Sequence, residues 1–171
     1  YDLNDFSTIR DGKLSKAVAS GEVSLASAQL RQWRNKALND TYEPGSTFKI
    51  LTLAAALEEG VVNENTTYHC DGYITVSGQR INCSGHHYDQ NLAQTAANSC
   101  NPAFIDIGLK VGTKTYYQYL KSFGLMDETG VDMIGEVGGI FSDEKTFNSN
   151  VVSLASYSFG QTFNVTPLGL I

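Results

Sequence analysis

Basic charge is scarce in this chain. Twelve Lys and Arg stand against 18 Asp and Glu among 171 residues, for a net charge of −6 and a pI near 4.9. A nucleic-acid partner would call for a basic stripe along one face, and the sequence offers none. Long apolar runs are also missing: the longest near-apolar stretch, Ile50 to Leu57, falls far short of the ~20 residues of a membrane span. The opening Tyr1-Asp2-Leu3-Asn4 is polar and no apolar segment follows it, so no signal peptide is expected there. Three cysteines (Cys70, Cys83 and Cys100) are too few to scaffold a chain of this length, and one bridge plus one thiol in any of three pairings stays open. No repeat and no low-complexity tract occurs. A Gly-x-Ser-x-Gly elbow is absent and none of the His residues has a triad setting, which sets aside α/β-hydrolase chemistry.

What is present is apolar enough to fold. With 42% hydrophobic residues the chain can bury the core of one domain or two small ones. Residues 1–28 read as an entry strand or turn and then a mobile or variable stretch, and Leu30 to Asn39 as a short helix carrying Trp33. Glu43-Pro44-Gly45 breaks the chain. A helix starts at Ser46 and runs through Phe48 and Leu57, apolar on every face and so expected to be central and buried, with Gly60 closing it. Tyr73–Val76 and Gln79–Cys83, joined through Ser77-Gly78, predict a β-hairpin. Helices are expected over Asn91–Asn98, from Asn101-Pro102 to about Val111, over Thr113–Phe123 and over Val151–Phe159. A loop is expected at 130–139, and a final helix opening at Val165-Thr166-Pro167. The fold class that results is α+β, predominantly helical, with one small hairpin.

The pattern with most chemistry in it is Ser46-Thr47-Phe48-Lys49. Helix positions three apart share a face, so the Ser46 hydroxyl and the Lys49 amine would converge. Serine is a poor nucleophile until a base takes its proton. Lysine can be that base only when neutral, and burial in an apolar helix pushes its pKa down towards that state. The plainer alternative makes Ser46 a helix N-cap and Lys49 a solvated side chain. A second Ser-x-x-Lys, Ser142 to Lys145, falls in a stretch read as polar loop, and chance explains it. Ser99-Cys100-Asn101 is the second pattern. Here too a plain reading exists, since Asn101 before Pro102 fits a helix start.

Taken together, YDLND at the start, YEPGSTFK at 42–49, NSCNPAF at 98–104, FGLMDETGVDMIGE at 123–136 and the GQ-x-x-x-VTPL run at 160–168 resemble the transpeptidase domain of penicillin-binding proteins, most of all the class B, division or sporulation type. The resemblance implies a partial penicillin-binding-protein/serine β-lactamase-like fold spanning residues 1–171, with most of the central sheet missing. It implies Ser46 as the acyl-accepting nucleophile and Lys49 as general base. It further implies Ser99 as a proton relay, Asn101 as a partner of substrate amide or Lys49, and the Ser46 backbone N–H as half of an oxyanion hole. Peptidoglycan stem peptides and β-lactams would be the partners, with no nucleic acid and no cofactor. The parent protein would work outside the cytoplasm, anchored to the cell membrane. The family's Lys-Thr/Ser-Gly strand is absent: Lys114-Thr115 runs into Tyr116, and Lys145-Thr146 into Phe147. Thr162 stands where glycine is usual and Gly169 where glutamine is common.

Two rival functions share the motifs: a serine β-lactamase or β-lactam sensor, and a non-catalytic helical module. For the cysteines, a Cys83–Cys100 bridge would tie the hairpin to the Ser-x-Asn turn, and Cys70 could pair with Cys83 across the hairpin. A small buried thiol is the plainer role of Cys100. Cys83, His86, His87 and Asp89 form a polar cluster of zinc-compatible types, but their spacing matches no common site. A solvated loop, with no metal, is expected there.

Overall fold

The computed structural model describes residues 8–171, so the YDLND segment lies outside the described residues. Short polar side chains start the first helices. Asp11 accepts the amides of Lys13 and Leu14 and opens α1 (Gly12–Ala19). Ser24 accepts the Ser27 amide ahead of α2 (Leu25–Trp33), and Asn35 accepts the Ala37 amide ahead of α3 (Lys36–Asn39). These caps correct two expectations. Residues 12–28 are largely helical, and the single helix expected over Leu30–Asn39 is broken at Asn35, whose side chain competes for the backbone.

Gly45–Phe48 is a 3₁₀ turn that runs directly into α4 (Lys49–Glu58), and Gly60 follows at φ +65°. The helix is not buried all round, as expected from its composition. It buries Lys49, Thr52, Ala55 and Ala56, while Ile50 is 73% and Leu57 47% exposed. The most deeply embedded helix is a later one, α6.

Four short strands follow: β1 (Thr67–Cys70), β2 (Tyr73–Val76), β3 (Gln79–Asn82) and β4 (Tyr88–Asn91). The foreseen hairpin is β2–β3, with Val76 opposite Gln79 and both turn residues left-handed, Ser77 at φ +48° and Gly78 at φ +80°. Around it closes a second antiparallel pair, β1–β4, that sequence reading did not anticipate, with Cys70 opposite Tyr88. Nesting one pair inside the other brings residues 70, 83 and 87 into one place.

Asn91 and Gln94 form a reciprocal capping box on α5 (Leu92–Ala97). Pro102 sits in the first turn of α6 (Asn101–Val111), and Gly112 at φ +82° separates it from α7 (Thr113–Ser122). Asp143 caps α8 (Glu144–Asn148), so the second Ser-x-x-Lys overlaps a helix start instead of lying in a loop. Last comes α9 (Val151–Tyr157). Val165-Thr166-Pro167 opens no helix. Val165 instead pairs with Tyr42, and the Thr166 hydroxyl accepts the Gly169 amide at 3.0 Å to close a turn.

Helix α6 is the axis of the core, with α4 on one side and α9 on another. Phe48, Phe104, Ile107, Leu120, Phe147, Leu154, Tyr157 and Phe163 fill the space between them. The α6–α9 approach is close enough to need Gly108, where a Cβ would lie 1.8 Å from Ser158 Oγ. One buried polar network crosses this core. Thr52 Oγ1 lies 2.7 Å from Tyr116 Oη and donates to the Ser158 carbonyl at 2.9 Å, and Tyr116 Oη donates to the Tyr157 carbonyl at 3.3 Å.

Candidate active site

The break at Glu43-Pro44-Gly45 builds one wall of the site. Gly45 takes φ +58° and its amide donates to the Gly160 carbonyl at 2.8 Å. Gly160, at φ +85°, lies so close that a Cβ there would stand 2.0 Å from the Gly45 oxygen. The following segment is laced to the same wall: Thr162 N–H donates to Glu43 Oε1 at 2.9 Å, and Tyr42 and Val165 exchange backbone hydrogen bonds of 3.0 Å each. Thr162 itself sits at φ +69°, a conformation β-branched residues rarely adopt. That left-handed geometry is a physical reason for glycine to be usual at this position.

Ser46 is the second residue of the 3₁₀ turn, and its side chain caps nothing there; the first-turn hydroxyl that bonds backbone is Thr47, donating to the Pro44 carbonyl at 2.8 Å. Ser46 is exposed. One turn further in, Lys49 is only 4% exposed. The geometry therefore differs from that of an N-cap serine with a solvated lysine.

The Lys49 ammonium donates to Ser46 Oγ at 3.1 Å, to Asn101 Oδ1 at 2.6 Å, and to Ser99 through its carbonyl at 2.7 Å and its Oγ at 2.9 Å. The four acceptor atoms belong to three residues, the number of hydrogen bonds an amine nitrogen can serve in either protonation state. As an ammonium it donates to all three. As a neutral amine it keeps two N–H bonds, to Asn101 and Ser99, and turns a lone pair towards Ser46. Burial holds the Lys49 pKa below the ordinary lysine value, and the nearby thiols of Cys83 and Cys100 oppose that shift. The chemistry available is transfer of the Ser46 hydroxyl proton to Lys49 as the serine attacks an acyl group.

Ser99 joins α5 to α6 at φ +51°, and Cys100 behind it is fully buried. The left-handed serine costs on the order of 1 kcal/mol, and residues strained in this way concentrate at functional sites. Asn101 faces two ways: its Oδ1 accepts from Lys49, and its Nδ2 donates to the Asn82 carbonyl at the end of β3 at 3.3 Å. All four residues singled out in the sequence, Ser46, Lys49, Ser99 and Asn101, thus meet around one nitrogen.

Behind Asn101 lies a cluster that sequence reading drew differently. Asp89 and His86 are not in it. Asp89 Oδ1 pairs with His69 Nδ1 at 2.6 Å, and His86 stacks over Tyr88 with ring centres 6.2 Å apart. Cys83 and His87 are joined instead by Cys70 and Cys100, and the ligand atoms of these four residues all lie within 4.8 Å of one another. All three cysteines are free thiols, with Cys83 and Cys100 sulfurs 4.0 Å apart. The nesting of β2–β3 inside β1–β4 is what gathers them, and no local spacing signals it.

Residues 6–171 match the family described as the penicillin binding protein transpeptidase domain. The chain is 42% identical over 139 residues to stage V sporulation protein D of Bacillus subtilis, which covers 79% of this chain and 21% of that protein. It is 27% identical over 147 residues to peptidoglycan D,D-transpeptidase FtsI of Escherichia coli K12, covering 86% and 24% respectively. The chain therefore spans less than a quarter of the length of these two relatives. The apo transpeptidase domain of penicillin-binding protein 3 from Burkholderia pseudomallei has the same fold at a TM-score of 0.76 and 24% identity, over 80% of this chain and 41% of that one. Penicillin-binding protein 3 from Mycobacterium tuberculosis, in complex with aztreonam, superposes at a TM-score of 0.73 with 26% identity, over 80% and 30%.

Proposed function

Since the chain belongs to the penicillin-binding protein transpeptidase family, we propose that it is the helical portion of a peptidoglycan D,D-transpeptidase of the division or sporulation type, with the central sheet supplied by further sequence. The observation that carries this reading is the buried Lys49 nitrogen within hydrogen-bond reach of Ser46, Ser99 and Asn101. Ser46 Oγ attacks the carbonyl between the two terminal D-alanines of a stem peptide, and its proton passes to neutral Lys49. Ser99 relays a proton to the departing D-alanine amine, and an acyl-serine remains. An amine on a neighbouring strand then displaces Ser46, which recovers its proton, and the cross-link is made. Asn101 fixes Lys49 and offers its amide to the peptide, and the Ser46 N–H lies where charge develops on the attacked oxygen.

A β-lactam presents a strained amide to the same serine. Its ring nitrogen stays tethered after ring opening, so the acyl-enzyme persists. On this reading the work is done outside the cytoplasm, by a parent protein anchored to the membrane. Among the described residues no helix is long and apolar enough to cross a membrane.

The test is labelling with a fluorescent penicillin. The sequence contains no Lys-Thr-Gly strand, and loss of one oxyanion donor alone costs ~100–1,000-fold in rate. The 171-residue chain should therefore fail to label on a timescale at which a longer protein, continued through a Lys-Thr-Gly strand, labels stoichiometrically. Ser46→Ala in the longer protein should abolish the label. Covalent label surviving that substitution would overturn the nucleophile assignment.

A further inference from the structure

We propose that Cys70, Cys83, His87 and Cys100 form a four-coordinate transition-metal site, fitted to Zn²⁺, that ties the nested strands to the turn carrying Ser99 and Asn101. The binding claim stands apart from the transpeptidase reading; only the role of the turn rests on it.

The donor set is three thiols and one imidazole, the ligands of structural zinc sites. A tetrahedral ion with Zn–S of ~2.3 Å sets its sulfurs ~3.8 Å apart. The Cys83 and Cys100 sulfurs are 4.0 Å apart, Cys83 Sγ is 3.6 Å from His87 Nδ1, and all four donors fall within 4.8 Å. That spacing is too wide for a disulfide and close to what an ion between them needs. Along the chain the donors are spaced Cys-x₁₂-Cys-x₃-His-x₁₂-Cys, and the nested strand pairs bring them together. The first arm is the inner hairpin, and the second is β4 followed by α5.

Backbone amides are directed at all three sulfurs, against the burial that pushes the Cys100 thiol up to about 12. The Gly72 amide points at Cys70 Sγ at 3.4 Å, the amides of Gly85 and Asn101 at Cys83, and that of Ala103 at Cys100. Backbone N–H groups aimed at sulfur stabilise it in the anionic, metal-binding form. A second and independent observation is Gln90. It is 97% buried, being 3% exposed, it faces the Cys100 sulfur, and its Nε2 has no hydrogen-bond partner. A metal-bound thiolate at Cys100 is the acceptor that this buried N–H lacks.

Loading releases the thiol protons, with three thiolates and a neutral imidazole taken up by one divalent ion. Position decides the consequence. Cys100 is the middle residue of Ser99-Cys100-Asn101, and Cys83 follows Asn82, whose carbonyl accepts from Asn101. One ion therefore pins both flanks of the turn that holds Lys49, making the four ligands positioning residues.

The experiment uses the intact protein, free of any histidine tag. Mass spectrometry for metals should find stoichiometric zinc, and X-ray absorption at the zinc edge should show a shell of three sulfurs at ~2.3 Å and one nitrogen at ~2.0 Å. Cobalt replacement should give the intense visible bands of a tetrahedral thiolate site. Cys70→Ser and His87→Ala should lose stoichiometric metal. His69→Ala, whose ring is held by Asp71 and Asp89 outside the cluster, should keep it. Gln90→Leu should weaken binding ~10–100-fold. Zinc added to chelated protein should slow hydrogen exchange at residues 98–103, a readout that needs no acylation. Should Cys70→Ser fail to fold by circular dichroism, the absorption shell of the unsubstituted protein decides. An oxygen-rich or absent shell, a Cys83–Cys100 disulfide in freshly reduced protein, or metal unaffected by both ligand substitutions would overturn the proposal.

Discussion

Lys49 is a base only if its proton can leave, and the protein arranges this by position more than by chemistry. A buried ammonium with only neutral oxygens as hydrogen-bond partners is destabilised relative to water, whereas the neutral amine gives up little. The direction of the shift fixes the pH behaviour. Below the depressed pKa Lys49 is charged and Ser46 keeps its proton, so the acylation rate of the longer protein should climb with pH through a value under the ordinary lysine range and then level off. A rate profile flat across that range would contradict it. Lys49→Arg keeps a cation near Ser99 and Asn101 but cannot deprotonate. We expect it to lower acylation ~100–10,000-fold, the usual scale for losing a general base, with far-UV circular dichroism unchanged.

At the scale of elements, two glycines mark where chain segments touch. Gly160 brings the segment after α9 against Gly45, and Gly108 brings α6 against Ser158. Overpacking typically costs ~1–3 kcal/mol. Gly160→Ala adds the strain of a side chain at φ +85°, and the wall it displaces is the one holding Ser46. It should therefore depress acylation as well as thermal stability. Gly108→Ala should lower only stability, and by less in a Ser158→Gly background, where the clashing atoms are gone. Equal effects in both backgrounds, measured by denaturant unfolding, would refute the contact.

Local signals explain which elements were legible. Asn91, Pro102, Gly60 and Gly160 act on their own neighbours, and the helices they bound lie where the sequence puts them. The Ser77-Gly78 turn is likewise self-contained. Composition misled at α4, because its apolar residues do not all find a partner and Ile50 and Leu57 face outward. The β1–β4 pair joins residues some twenty positions apart through backbone bonds, with a side-chain pattern too short to declare itself. The Cys70–Cys83–His87–Cys100 cluster inherits that difficulty, since it exists only once both pairs are formed. The Lys49 site was readable for a different reason: its two short motifs carry the family's signature, and the fold brings them to one nitrogen across 52 residues.

For the molecule as a whole, cooperativity rests on few buried polar links, and Tyr116 is central to them. Its hydroxyl joins α7 to Thr52 on α4 and to the Tyr157 carbonyl on α9, in a place where a phenolate would have no water. Burial raises its pKa well above the ordinary tyrosine value, with the neighbouring Thr52 and Ser158 hydroxyls opposing only in part. Consider the range above about pH 10, where an unfolded tyrosine ionises. There the native state keeps its proton and the unfolded state does not, so the unfolded state binds fewer protons and stability falls as pH rises. The contribution is complete below about pH 10 and drains above it, by ~1.4 kcal/mol per pH unit for one proton. Tyr116→Phe should lose about 1 kcal/mol at neutral pH, the usual scale for a buried hydrogen bond. It should also flatten the alkaline slope by nearly one proton, read from urea unfolding between pH 9 and pH 11. An unchanged slope in the Phe variant would mean that the three helices are not locked through this hydroxyl.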